Sequence, residues 1–387
     1  MRKMPNTDAS DKLSIVTPTL NRWEFMARTI CYYRDTGFRG HLIIGDSSKN
    51  EDFDKVRDAI AEVGSAFRVT HVHCPDMGTL ATLQRINGMI DTPYAVYCGD
   101  DDYLVPEAAA RCVVFLDAHP DYMAAQGRGR TLVLTGSDVG GQIERSEPYA
   151  TRGFEHDTAQ MRFTWHMLNY TVTIFAIHRT EIWKRMWSPV ENMADQSFAA
   201  ELLPSGRSVV AGKLKLLNDY YLIRQSHPST YLLPGFLDWV SSPCWAPSYL
   251  AFVDSLAGDI AQTDGTDRAQ AERLVKTLFH SYLYANPGSV TYRLQRIRMS
   301  AVTFAIPAVA ALARKMFPGG GKVFQRVVIR SIAAPFYAIT IAARFPNWLM
   351  KKLDRINGAI KDRTHPGYIR ARRAAEKGVL KRLETDG

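Results

Sequence analysis

The segment that most restricts this chain is residues 94–106, YAVYCGDDDYLVP. Tyr94, Ala95, Val96, Tyr97 and Cys98 are a short run of β-formers that stops at Gly99, and Asp100, Asp101 and Asp102 follow. Such a run, cut off by glycine, predicts a buried strand. Three adjacent carboxylates repel one another and resist desolvation, so a fold that sets them at a strand end must neutralise them, and a cation does so directly. Carboxylate oxygens suit Mg2+ or Mn2+, ions that take phosphate oxygens as further ligands. The same residues also fit a solvated acidic turn, or a cap for a helix opened by Pro106 and Glu107.

Ahead of this segment the chain alternates between two hydrophobic periods. Residues 13–17 (LSIVT) predict a strand ended by Pro18, then Asn21 and helical spacing of Phe25, Ile30 and Tyr33. A strand over 41–44 runs into Gly45, Asp46, Ser47 and Ser48; a helix through Phe53, Val56, Ile60 and Val63, a strand over 67–72 and a helix over 79–90 follow. This rhythm predicts an α/β fold with a parallel, doubly wound sheet, whose ligands lie at the carboxyl ends of the strands. Thr17, Asp46 and the three aspartates fall at such ends and are expected to face one crevice. The GxGxxG and GxxxxGK[ST] patterns are both missing from these turns, which argues against a conventional dinucleotide or P-loop site. A nucleotide held by Asp46 on a ribose or base edge and by a metal on its diphosphate is left open.

Composition narrows the class. Among 387 residues, 46% are hydrophobic and 22% charged, as in a globular protein. The five cysteines form no CxxC pair and lie mostly in apolar segments, so reduced thiols in a cytosolic setting are expected rather than disulfides or a zinc site. The first twelve residues lack an apolar core, and no secretory signal is expected. The net charge of +9 is uneven: residues 299–387 carry 17 Lys and Arg against 5 Asp and Glu, leaving 31 against 34 for the rest. A body without excess positive charge counts against a nucleic-acid partner.

The succession TPTLNR (residues 17–22), IIGDSS (43–48), the helix over 78–88 and YAVYCGDDDYLVP resembles the nucleotide-binding half of a GT-A glycosyltransferase, close to the family 2 type, over about residues 12–230. The resemblance implies a Rossmann-like, mostly parallel sheet. It also implies a metal-dependent, inverting transfer of sugar from a nucleotide-sugar donor to a glycan or lipid-linked acceptor, in surface polysaccharide synthesis, with Mn2+ or Mg2+. By that resemblance Thr17, Pro18 and Asn21 border the donor's base, Asp46 contacts base or ribose, Arg85 joins the donor site, and the acidic run is the DxD motif. Two registers are open. In one, Gly99 stands in the first aspartate's place and Asp101 and Asp102 take the last two; in the other, Asp100 and Asp102 form the motif. Asp102 is the expected direct metal ligand, with Asp100 and with His227, which sits after the last strand where family members send a histidine to metal or diphosphate; Asp100 and Asp101 also belong to the donor side. Local roles remain for several: Thr17 and Asn21 as turn and cap residues, Asp46 as a helix cap, His227 as a loop residue before Pro228.

In the second half, residues 123–126 and 131–134 predict strands across a turn rich in Gly and Arg, 170–177 (YTVTIFAI) a strand, and 215–224 another. Residues 191–203 (ENMADQSFAAELL) predict a helix with Asp195 in its first turn, where the helix dipole favours the ionised carboxylate. The resemblance implies that Asp195 is the base that deprotonates the acceptor; the other reading is a helix-stabilising aspartate. Three regions are expected: 1–235 catalytic, 236–298 a helical subdomain with Trp239, Trp245, Tyr249, Phe279, Tyr282 and Tyr284, and 299–387 a basic, amphipathic extension. Its apolar stretches, 301–313 and 327–343, are short or interrupted by Arg330 and Pro335 and flanked by basic residues. They predict helices lying peripherally on an anionic membrane surface, on the cytoplasmic face, rather than a span. Two alternatives of other classes are a nucleotidyltransferase whose GDD sits in a hairpin of antiparallel strands, and a non-catalytic scaffold on a transferase fold.

Overall fold

The computed structural model describes residues 7–136, 139–230 and 234–285. The two apolar stretches and the whole basic extension lie outside the described residues.

Strands β1 (Leu13–Thr19), β2 (His41–Asp46), β3 (Arg68–His73) and β4 (Tyr94–Tyr97) run parallel in the order β3-β2-β1-β4. Helices α1 (Trp23–Asp35), α2 (Asn50–Val63) and α3 (Thr79–Ile86) make the crossovers. β1 and β2 are buried along almost their whole length, as central parallel strands are. β1 continues through Pro18 instead of ending at Thr17. Past Val16 it is registered with β2 and no longer with β4, so the missing N–H of Pro18 leaves no gap in the β4 ladder.

The chain continues through β5 (Tyr103–Leu104), α4 (Pro106–Ala118), β6 (Tyr122–Leu134), β7 (Ile143–Tyr149), α5 (Ala159–Leu168), β8 (Ile177–Arg179) and α6 (Thr180–Met186). A π-helical turn (Phe198–Leu202), α7 (Leu203–Ala211), β9 (Lys213–Ser226), α8 (Phe236–Val240), α9 (Trp245–Asp264) and α10 (Arg268–Ala285) complete it. All strands join one sheet, extended beyond β4 as β8-β6-β9-β5 with β7 on β6. In this half only the β6–β9 pairing is parallel. The sheet is therefore mixed, and the mostly parallel expectation holds for β1 to β4 alone.

Three other expectations change. Residues 122–134 form one long strand rather than two strands and a turn. A Cβ on Gly127 would come within 2.5 Å of the Asp219 carbonyl oxygen, so this glycine lets β9 approach instead of making a turn. Of residues 170–177 only Ile177 enters a strand. Thr173 N donates to Ser205 Oγ (3.3 Å), Thr173 Oγ1 donates to the Ser205 carbonyl (3.2 Å), and Ala176 N turns back to the Thr173 carbonyl; bonds to α7 override the β-propensity of this segment. The helix expected over 191–203 begins only after Asp195, which precedes its first helical residue and accepts from Phe198 N at 3.1 Å as a cap.

Two cores result. One fills the space between β1–β4 and their helices. The other gathers Phe154, Phe163, Phe198 and Leu202 with Trp239, Phe252 and Phe279 from α8, α9 and α10. The Phe198 ring lies 5.4 Å from that of Trp239, 5.3 Å from Phe252 and 5.4 Å from Phe279, so the helices after residue 235 close a core begun before it. Among the described residues no helix is long and apolar enough to cross a membrane.

Candidate active site

The acidic turn leaves the carboxyl end of β4, between β1 and β8, and its backbone closes with Asp102 N on the Gly99 carbonyl. All three side chains are buried. Asp100 accepts from Thr19 Oγ1 (2.7 Å) and Arg22 Nη1 (2.8 Å). Asp101 Oδ2 accepts from Arg22 Nη2 at 2.7 Å and lies 3.0 Å from His227 Nε2. Asp102 accepts from Arg224 Nε (3.0 Å) on one oxygen and from the Gln225 backbone N–H (2.9 Å) on the other. Gln225 Nε2 also bonds the Asp101 carbonyl.

Charge balance is thus achieved by two arginines, Arg22 after β1 and Arg224 in β9. Burial pushes the carboxyls of Asp100 and Asp102 up. For Asp101 burial acts in the same direction, but the bond to His227 and the charge of Arg22 outweigh it and hold the carboxyl down. The Arg22 guanidinium lies 4.5 Å over the Phe25 ring, and Phe25 stacks on His227 with centroids 4.9 Å apart. Ser229 Oγ is 2.9 Å from His227 Nδ1, and Arg22 Nη2 is 3.0 Å from His227 Nε2.

Two strands away, Asp46 is buried at the end of β2. It accepts from Ser48 N (2.9 Å) and lies 3.0 Å from His71 Nε2. Burial alone would raise it, yet these bonds hold its carboxyl below the usual range. His71 is itself stacked on Phe53 at 4.1 Å. Asn21 adopts positive φ, and its N–H donates to Ser48 Oγ at 2.7 Å, joining the loops after β1 and β2. Thr17 is fully buried, and its hydroxyl has no partner among the described residues. Arg85 is exposed on α3, with Nη1 4.0 Å from Met77 Sδ. Thr17, Asn21, Asp46 and the acidic turn therefore lie along the carboxyl edge of β2-β1-β4.

Asp195 belongs to the other core. Its Oδ1 accepts from Phe198 N and from Trp239 Nε1, each at 3.1 Å, and Cys244 Sγ is 3.9 Å from Oδ2. Arg22, Arg224 and Trp239 as partners of the acidic residues were not legible in the sequence, where nothing marks a lone arginine or tryptophan as the mate of a distant carboxylate. Glu201 was missed too. It sits in the π-helical turn, half-buried, accepting from Tyr170 Oη at 3.0 Å. Burial raises its carboxyl, against the opposing bond from Tyr170 and the charge of Arg224. The one hint is the π-turn itself, which often marks functional positions but has no sequence signature.

No protein-family model matches the sequence, and no curated protein matches it. Among solved structures the chain is similar to residues 1–349 of S. aureus TarS in complex with UDP-GlcNAc, at 12% identity and a TM-score of 0.46, over 86% of this chain and 91% of that one. It is similar to a longer S. aureus TarS chain at 13% identity and a TM-score of 0.44, covering 87% of this chain and 54% of that one, about half its length. A third likeness is to the mannosyltransferase PcManGT of Pyrobaculum calidifontis in complex with GDP-Man and Mn2+, at 15% identity and a TM-score of 0.43, over 87% of each chain.

Proposed function

We propose that this chain is a GT-A-type glycosyltransferase that takes a nucleotide-sugar donor at the carboxyl edge of β2-β1-β4 and passes its sugar to a hydroxyl of a glycan or lipid-linked acceptor in surface polysaccharide synthesis. The observation that carries the reading is the meeting of Asp101 and His227, 126 residues apart, within 3.0 Å at the end of β4. Ligands of such sheets bind at that edge. The orphaned hydroxyl of Thr17 supports the same place for the donor's base, because a buried unpaired hydroxyl costs about 1–3 kcal/mol that a ligand can recover. Asp46, Asn21, Pro18 and Arg85 complete the donor side.

The residues fit a divalent ion. Among the described residues no group of three or more His, Cys, Asp or Glu is arranged to hold a metal alone, and Mg2+ or Mn2+ on a nucleotide commonly takes one or two protein ligands and the rest from phosphate and water. Asp101 and His227 are the two ligands offered. Asp102 has both oxygens engaged by protein donors, so the register we adopt is the one with Gly99 in the first aspartate's place, and Asp101 is its ligand. When bound, the ion would neutralise charge on the departing diphosphate. Arg22, already between Asp100 and Asp101, adds a second positive charge there. Asp195, fixed by Trp239 and Phe198 N, takes the proton from the acceptor hydroxyl, and attack opposite the leaving group gives inversion.

The polymerase-like alternative loses its hairpin. β4 pairs with β1 and β8, β5 pairs with β9, and α4 follows. The charge and apolar pattern of residues 299–387 supports a place on the cytoplasmic face of an anionic membrane. A hydrolysis screen over UDP-, GDP-, CDP- and dTDP-sugars, with Mn2+ and with EDTA, tests the central reading. Metal-dependent release of one class of nucleotide is expected; no release from any donor would overturn it.

A further inference from the structure

We propose that Glu201 is an acceptor-binding residue whose carboxylate accepts a hydrogen bond from a hydroxyl of the acceptor sugar, beside the ring of Tyr170. The inference rests on the transferase reading and adds a residue that neither the motifs nor the donor geometry assigns. Glu201 is the charged residue of the π-helical turn, whose neighbours Phe198 and Leu202 are buried in the second core. Its own side chain is half-buried, and Tyr170 Oη supplies the hydrogen bond it accepts, at 3.0 Å. A carboxylate has about four acceptor sites, so one phenol leaves most of its capacity for a ligand. Retaining a shielded carboxylate with no ion-pair partner among the described residues is costly and points to a group that arrives later.

The charge of Arg224 acts on the Glu201 carboxyl. The Arg224 guanidinium lies 5.2 Å over the Tyr149 ring and 4.9 Å over that of Phe175, while its Nε holds Asp102. The arginine whose charge acts on Glu201 is thus the one that holds Asp102 of the acidic turn. Tyr170 is backed by Tyr282 at 4.9 Å and His166 at 5.0 Å, which fixes its ring and hydroxyl. Rigid aromatic rings beside a carboxylate match a sugar ring, with apolar C–H faces and hydroxyl edges. Asp195 turns instead to Trp239 and Cys244, so the two acids have separate tasks.

The test uses the full-length chain and a panel of p-nitrophenyl α- and β-glycosides of glucose, galactose, mannose and N-acetylglucosamine, titrated by calorimetry. At least one should bind the wild type, and Glu201→Gln should weaken it at least ~10-fold, as for loss of one charge-assisted hydrogen bond. Donor hydrolysis should stay within about twofold of wild type, as the donor site is untouched. Should Glu201→Gln not fold, Tyr170→Phe keeps the carboxylate but releases it, and should weaken the same glycoside severalfold. Unchanged binding in the folded variant, an equal fall in donor hydrolysis, or no glycoside bound by wild type each overturns the inference. If wild type hydrolyses no donor, the transferase reading fails, while the titration still reports on Glu201.

Discussion

Asp101 and Asp102 are neighbours in sequence, yet their oxygens meet different partners, and that difference is measurable. Asp101 touches Arg22 and His227, whereas Asp102 is tied to Arg224 and the β9 backbone. Asp101→Asn is expected to lower metal-dependent donor turnover at least ~100-fold with little change in melting temperature. Asp102→Asn should show the reverse emphasis, a clear fall in melting temperature, because it leaves Arg224 without its counter-charge. Loss of metal response in Asp102→Asn at unchanged stability would move the ion to the other register. For Asp195→Asn we expect normal donor hydrolysis and a loss of transfer of roughly 10²–10⁴-fold; lost donor affinity with intact transfer would make it a structural cap. At this scale the acidic run and His227 were legible because each closes a strand, and strand ends are where such folds place ligands. Arg22 as a bridge to position 227 was not, since the contact spans 205 residues and depends on how β1 and β9 come together.

Gly127 and the two buried histidines test the elements. A side chain at Gly127 would strike the Asp219 carbonyl and Tyr221 Cβ, both at 2.5 Å. Gly127→Ala should therefore cost about 1–3 kcal/mol, read as a lower urea midpoint; an unchanged midpoint would show that β9 can shift freely. His166, on α5, and His178, in β8, are fully buried, and burial pushes each down to about 3. The native state keeps them neutral while the unfolded chain takes up protons below its ordinary pKa of about 6.5, so their contribution falls as pH drops from there towards 3. Each should steepen the loss by up to about 1.4 kcal/mol per pH unit. Comparing urea midpoints at pH 7.5 and 5, His178→Asn should lose less on acidification than wild type; an equal loss would sink the assignment. The βαβ rhythm of the first hundred residues was readable because period and length agree there. Residues 170–177 were misread as a strand, since their β-branched side chains signal a strand while their polar groups are spent on Ser205 of α7. Asp195 was placed inside a helix that it caps, because periodicity locates a helix better than its first residue.

The molecule as a whole has two cores, and the later one spans residue 235. A chain cut after about residue 298 should keep its fold and donor hydrolysis, whereas one cut at 235 would lose Trp239, Phe252 and Phe279 from around Phe198, at about 3–5 kcal/mol for each large aromatic, and should aggregate. Full-length protein should bind anionic vesicles, release them in high salt, and bind neutral ones much less; the 298 truncation should bind neither. Extraction by detergent alone would make 327–343 an inserted segment. The path of the acidic turn has a wider consequence. It joins β4, in the middle of the sheet order, to β5 at the far edge, four strand positions away, through five residues that include a backbone turn. Four strand spacings are about 19 Å, close to the full reach of such a linker when extended, and this one is folded. The sheet must therefore curl until its edge meets its middle, with the three aspartates as the buckle. A ligand that neutralises the buckle grips both halves at once, so donor affinity and resistance to unfolding should rise together as a single mechanical property.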